Sequence, residues 1–352
     1  MNIDEHNIMT TIAATAALRE CVSQQVQRRQ KASPNDLLWS YARRATTELA
    51  GLRQRLHQDG FQFNPVAQRR LRDGTWVSRY EPEDQVVLSR MSSVLTRLCQ
   101  QKLDLSQATH VKGQGGLKGA VRKARFYTEQ NVFVFKTDIA DFYESINHNI
   151  MQRQMNRVVK DKRVRRLLWD SMERLHVCDG EYRHVKTKGI SRGCSLSPLM
   201  GAVYLTPLDA YAKAHEVDYV RYMDDVVFFT QTKKKLREVI KGIYPVLTEL
   251  ELTLAKDKTW IGRVATGFDF LGYRLSPDDM TVAVRSFKRM TEKLRLLYEQ
   301  GADQARRRSY VTHWLKWAQS GVALNKERLL TTTTDILQNS VGFHSARARV
   351  PE

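Results

Sequence analysis

The stretch YVRYMDDVVFF, residues 219–229, sets two adjacent acids, Asp224 and Asp225, between apolar runs rich in Val, Phe and Tyr. Side-by-side carboxylates repel each other, and neither is easily desolvated unless something positive sits between them. A metal ion supplies that charge. A third acid, Asp138, ends the compact apolar run VFVFKT at 132–137. If residues 219–223 and 226–230 form a hairpin, Asp224-Asp225 lies at its tight turn and Asp138 at the end of a strand that can pair beside it. Three carboxylates then converge at one edge of a sheet. Such a cluster suits two Mg2+ ions about 4 Å apart, one activating an attacking oxygen and the other holding a leaving phosphate. All the candidate ligands are hard oxygens and the motif has no His or Cys, which favours magnesium, with Mn2+ as a substitute, over zinc.

Bringing those acids together requires a particular order of elements. Residues 8–30 read as a helix, and Ser33-Pro34-Asn35-Asp36 as the start of a second that runs to about His57. Asp73-Gly74, between QRRLR and TWVSRY, marks a hairpin, and a helix follows over 84–101. After the strand at 132–137 come a basic helical region over 148–176, a hairpin at Asp179-Gly180, and a helix with Ser197 as N-cap and Pro198 at its first position. The two strands around Asp224 lead to a helix over 233–250, strands near 259–263, 268–275 and 280–284, and a tail of 67 residues that reads as all helical. Strand, helix, paired strands, helix, strand is the order of a split βαβ, ferredoxin-like core. The expected fold class is α+β.

Bulk composition narrows the partners. The chain of 352 residues carries 57 Lys plus Arg against 38 Asp plus Glu, a formal charge of +19, which points to a polyanion, nucleic acid first and an anionic membrane surface second. No apolar run reaches the eighteen or so residues of a spanning helix, and the short apolar stretch near the start follows Asp4 and Glu5 rather than a basic segment. Neither membrane insertion nor secretion is expected, and the location expected is cytoplasmic. The four cysteines, Cys21, Cys99, Cys178 and Cys194, are scattered without CxxC spacing and read as reduced core residues.

FKTDIADFYESINH, GISRGCSLSPLMGAVYLTPLD, YVRYMDDVVFF, LTLAKDKTWI and FDFLGYRL follow one another in this chain. In order and approximate spacing they resemble the conserved blocks of reverse transcriptases, over about residues 70–320, and most resemble the bacterial group II intron-like and standalone defence-associated enzymes. YMDD alone would carry little, because short motifs arise by chance. The resemblance implies a right hand: an N-terminal helical extension over 1–60, fingers over 61–130, a ferredoxin-like palm over 131–284, and a helical thumb and tail over 285–352. It implies RNA-directed DNA synthesis by a two-metal mechanism, with an RNA template, a DNA or RNA primer and deoxynucleoside triphosphates as partners.

Carried over position by position, Asp138 and Asp224 resemble the main metal ligands, with Asp225 as the third acid and the backbone of Ile139 adding a carbonyl. Tyr143 sits where the family keeps an aromatic gate against the ribose 2′-hydroxyl; the alternative is a core Tyr at a strand-to-helix junction. Many relatives have Gln where this chain has Arg192, and the resemblance places Arg192, Gly193 and Ser197 near the incoming nucleotide. Lys258 aligns with a lysine proposed to protonate the leaving pyrophosphate, or else it is a solvated loop lysine. FLGY, from Phe270 through Gly272 to Tyr273, resembles the primer grip, where a glycine lets a backbone approach closely. Arg72 and Arg79 flank the Asp73-Gly74 hairpin and are candidates for the triphosphate.

The basic segment 109–125 has five Lys or Arg (Lys112, Lys118, Arg122, Lys123 and Arg125), one His and no acid; the resemblance lays it in the fingers over template or triphosphate. Residues 153–166 and Arg306-Arg307-Arg308 read as backbone-tracking surfaces, whereas Trp314 and Trp317 have the i, i+3 spacing of a buried helix face. About thirty residues follow the thumb, so no RNase H, endonuclease or maturase domain is expected there. Without a VTG triplet in the thumb, and with SP rather than SQ ending the SLSP block, the chain reads as a standalone enzyme, with a role in antiphage defence and a dedicated noncoding RNA template suggested by family association alone. Two other readings stand beside it: an RNA-making or primase-like polymerase on the same palm, and a catalytically idle nucleic-acid-binding protein.

Overall fold

A computed structural model describes residues 7–70, 76–178, 180–183, 187–322 and 324. The helix expected over 8–30 is broken at Ala14, whose backbone is extended, into α1 (Ile8–Ile12) and α2 (Thr15–Arg28). The next helix starts later than Ser33. Asp36 is its N-cap, accepting from the Leu38 N–H at 3.0 Å, and the run divides at Arg44 into α3 (Leu37–Arg43) and α4 (Ala45–His57). β1 (Val66–Arg70) and β2 (Trp76–Arg79) form the expected hairpin, paired Arg70 to Trp76, with its Asp73-Gly74 tip outside the described residues. α5 (Pro82–Lys102) begins on a proline and carries Glu83 and Asp84 in its first turn, where acids complement the helix dipole. α6 (Gly116–Gln130), preceded by Gly115 at φ +94°, was not anticipated as a helix.

β3 (Phe133–Thr137) leads through α7 (Phe142–Ser145) to α8 (His148–Val158) and α9 (Lys162–Glu173). The basic region is therefore two helices, capped by the side chains of Asn147 and Asp161. β4 (His176–Cys178) and β5 (Glu181–Arg183) pair as the second expected hairpin, and β4 also runs parallel to β1, giving a sheet ordered β2-β1-β4-β5. α10 (Ser197–Tyr204) and α11 (Thr206–Ala214) precede β6 (Asp218–Tyr222) and β7 (Asp225–Thr230); α12 (Lys233–Glu249) then leads to β8 (Trp260–Arg263). In α10 the N-cap is Leu196 rather than Ser197, which lies inside the first turn. The segment read as one strand over 268–275 is a hairpin, β9 (Phe268–Phe270) and β10 (Tyr273–Leu275), turning at Leu271-Gly272 and joined by β11 (Met280–Val282). α13 (Val284–Glu299) and α14 (Gln304–Gln319) close the described fold.

The central sheet is antiparallel in the order β6-β7-β3-β8. That is the ferredoxin-like arrangement expected for a strand, helix, hairpin, helix, strand sequence. Its inner strands are buried on both faces, so they read as continuous apolar runs rather than alternating ones. Phe135, Tyr219, Val226 and Phe228 face the larger core, shared with α1–α5 and α8–α12. Val134, Val220, Val227 and Phe229 face a second core built with α6, β9, β10 and the two C-terminal helices. Between these faces the sheet has little freedom to shift register, because a one-residue slip would exchange the two sets. Among the described residues no helix is long and apolar enough to cross a membrane.

Candidate active site

β6 and β7 are joined by a two-residue turn, Met223-Asp224, closed by the Tyr222–Asp225 pair. Asp225 is thus the first residue of a strand, and the turn lies one position earlier than the hairpin read from sequence. Met223 adopts φ +55°, the left-handed conformation that two-residue hairpins use to match strand twist. A side chain there costs about 1 kcal/mol, so other contacts must hold the turn. β3 and β7 pair Thr137 with Val226, and continuing that register sets Asp138 beside Asp225.

Asp138 is 6% exposed, and its carbonyl accepts from the Ala255 N–H at 2.8 Å. Its Oδ2 accepts from the Lys258 ammonium, while its Oδ1 is buried without a partner. Burial, and then the charge of Asp138, push the Asp224 carboxyl up to about 7. Asp225 is also raised, first by burial; Lys136, Lys258 and Arg285 pull against the shift and Asp138 adds to it. Two carboxylates sharing a half-buried site, one with an orphaned oxygen, fit a hard divalent cation such as Mg2+. Among the described residues no group of three or more His, Cys, Asp or Glu is drawn close enough to hold a metal ion, so the three acids neighbour one another without closing into the expected cluster; Asp224 feels Asp138 first and Asp225 less. Ile139 is buried next to Asp138 and bridged to Leu254.

Tyr143 is half-buried on α7, its ring 5.6 Å from Phe142 and against Gly201 of α10. Burial first and the Asp224 charge second push its hydroxyl up to about 12, so it lies within electrostatic reach of the acids while packing on the core. The packing agrees with the core reading of Tyr143. Arg192 pairs with Glu144 on α7, Nε to Oε1 at 2.9 Å, and Gly193 at φ +89° passes the backbone of Ser78. Ser197 is buried and donates to the Ser191 carbonyl at 2.7 Å, so its hydroxyl shapes the loop rather than facing a ligand. Arg79 is exposed and 3.9 Å from Asp36; Arg72 lies outside the described residues.

The basic residues of 109–125 divide. Lys112 is exposed. Lys118 instead donates to Tyr273 Oη and the Trp317 carbonyl and stands over both rings, Arg122 donates to the Gly321 carbonyl at 2.6 Å, and Lys123 to Gln107 at 2.7 Å. These three tie α6 to its neighbours. Phe270 is completely buried, which removes its side chain from any primer contact, and Gly272, at φ +89°, is approached by Ser286 and Trp317. Trp314 and Trp317 pack into the second core as their spacing predicts. On α14 Arg306 is exposed, and Arg307 lies over the Tyr298 ring at 5.2 Å.

Sequence reasoning missed His110. It counted only as one residue of a basic run, yet its ring joins the Met223 backbone to that of Pro198. No periodicity or spacing marks such a residue.

Residues 77–275, more than half of the chain, match the family described as reverse transcriptase (RNA-dependent DNA polymerase). The chain belongs to the reverse transcriptase family. Within the match lie Asp138, Tyr143, Arg192, Asp224, Asp225 and Lys258. Protein YkfC of Escherichia coli (strain K12) is 27% identical, over 41% of this chain and 46% of its own. The chain spans about half the length of that curated relative. Among solved structures, apo telomerase from Candida tropicalis is similar at TM-score 0.51 and 14% identity, covering 78% of this chain and 59% of that one. A form of it truncated from the C-terminal domain gives TM-score 0.48 at 14% identity, over 62% and 54%. At such identity the first of these likenesses speaks to the fold alone, an α+β right hand.

Proposed function

We propose that this protein is an RNA-directed DNA polymerase that adds deoxynucleotides to a primer on an RNA template. The observation that carries the reading is the Asp138–Asp224 pair on the palm sheet, with an unpartnered Asp138 oxygen facing the mutual repulsion of two carboxylates. When bound there, Mg2+ supplies charge neutralisation and a lowered barrier to in-line attack on a phosphate. Asp138 and Asp224 hold it, Asp225 and the Ile139 carbonyl complete its surroundings, and Lys258 is poised to deliver a proton to the leaving pyrophosphate. Tyr143 crowds a 2′-hydroxyl. Arg192 and Gly193 border the nucleotide, and Arg79 reaches its triphosphate, while Ser197 supports the loop.

On this reading the chain divides into an extension over 1–60, fingers over 61–130, palm over 131–284 and thumb over 285–352, with Lys112 and Arg306 tracking the nucleic-acid backbone. The net charge supports a polyanionic partner. A structured noncoding RNA template and a place in antiphage defence extend the reading, supported only by the family association. Primer extension tests it: purified protein, an RNA template with annealed primer, deoxynucleotides and Mg2+. Extension by the wild-type chain and its loss, by about a thousandfold or more, in a folded Asp224→Asn variant is expected. Activity of the variant near the wild-type rate would overturn the assignment.

A further inference from the structure

We infer that His110 is a positioning residue that fixes the Met223-Asp224 turn and thereby the metal-holding geometry of Asp224; the inference rests on the polymerase reading above. Met223 is a side-chain-bearing residue at φ +55°, in a turn where glycine and asparagine are at home. Its N–H is donated to His110 Nδ1 at 3.0 Å. An Nδ1 that accepts carries no proton, so the proton sits on Nε2, which donates to the Pro198 carbonyl at 3.0 Å. Both ring nitrogens are spent, and the tautomer follows from the two partners. Burial, with the charge of Arg221 second, pushes the ring down to about 4, which agrees with a neutral imidazole.

The loop bearing His110 is itself stitched to the hairpin. Thr109 gives both its N–H, at 3.2 Å, and its hydroxyl, at 2.6 Å, to the Arg221 carbonyl. The His110 ring meets Tyr222 edge-on at 5.9 Å. Consecutive residues of one loop thus grip the last turnward residues of β6, and through Pro198 the grip extends to α10, next to the loop of Arg192 and Gly193. Nothing else among the described hydrogen bonds takes the Met223 N–H. Without His110 the turn would keep its strained dihedral and lose its partner, and Asp224, the next residue, would lose its fixed direction.

Amide side chains separate the two bonds. Asn can set an oxygen where Nδ1 stands, whereas Gln reaches one bond further, toward the place of Nε2. The experiment compares His110→Ala, His110→Asn and His110→Gln with wild type. It measures the rise in melting temperature that Mg2+ produces without substrate, the Mg2+ concentration that half-saturates primer extension, and nucleic-acid affinity. Ala and Gln should need about tenfold more Mg2+ in both assays, the worth of one buried hydrogen bond, with nucleic-acid affinity unchanged, and Asn should restore most of it. A merely structural residue would lower the metal-free melting temperature without separating Asn from Gln, and that result overturns the inference, as does wild-type Mg2+ demand in Ala. Should Ala fail to fold, the Asn and Gln pair decides. A wild type that never extends a primer but shows the Asn–Gln split in its Mg2+ melting shift would retire the polymerase reading and keep this one; a wild type with no Mg2+ shift would retire this one.

Discussion

Lys258 donates its ammonium to Oδ2 of Asp138, while Oδ1 of the same carboxylate lies buried without a partner. One half of the acid is neutralised by the chain's own cation and the other half is not; on the polymerase reading that half holds the metal. The bond to Asp138 raises the Lys258 ammonium above the ordinary lysine value and so favours its charged form.

Lys258→Ala should lower the maximal rate of extension by about a hundredfold, the usual worth of a general acid. The same change should lower the Mg2+ needed for half-saturation, because the ammonium no longer competes for Asp138. Single-turnover kinetics across a Mg2+ series measure both. An unaltered rate would make Lys258 a solvated loop residue.

Tyr143→Ala should admit ribonucleotides, raising the ribo-to-deoxy incorporation ratio by about tenfold or more, because the ring that crowds the sugar is gone while the acids stay. Its half-buried ring also packs on Phe142 and beside Gly201, so a loss of stability is expected alongside. Competition between the two nucleotide types in primer extension reads the ratio, and no change in it would assign the ring to packing alone.

Behind the Met223-Asp224 turn, Arg221 is fully buried and bonded to Asp209 of α11, Nε to Oδ1 at 2.9 Å. Asp209→Ala strands that guanidinium in the core and should cost about 3–5 kcal/mol. Urea unfolding of the variant is the check; a loss below about 1 kcal/mol would mean that water or another group already serves the arginine.

Residues 285–317 hold nine Lys or Arg against three acids, and an RNA bound across such surfaces releases counterions. With six to ten phosphate contacts, affinity should fall roughly a thousandfold between low and moderate salt. Lys112→Ala should reduce the logarithmic salt slope by about 1, whereas Lys118→Ala should leave it alone, since Lys118 is already committed to Tyr273 and Trp317. Titrations at several salt concentrations decide it, and equal effects of the two would contradict the tertiary role of Lys118.

The palm was legible because its signal is local and redundant: apolar strands end in acids, turns carry their own residues, and the order of elements admits few topologies. The turn lies one residue before the place its paired acids suggest, because Met-Asp has none of the glycine or asparagine that marks a left-handed turn. α6 is hidden in the sequence because its charges read as a nucleic-acid surface; Lys118 and Arg122 instead satisfy carbonyls far away in sequence, and Lys123 the Gln107 side chain. The FLGY block suggests a contact surface for Phe270, yet only the packing of two sheets and a helix pair reveals that it faces inward. Long-range partners of single side chains, His110 above all, leave no trace in spacing.

The close seat of Trp317 on Gly272 has a mechanical consequence. Its ring, the Lys118 bonds and the Ser286 bond to the Gly272 carbonyl pin the last turns of α14 and the first turn of α13 to the β9–β10 hairpin and α6. The opposite ends of those helices meet at Gly301, at φ +74°, with open space around it. The helix pair is therefore held like a lever clamped at its base, with Tyr298 and Arg307 near its Gly301 tip, away from the clamp.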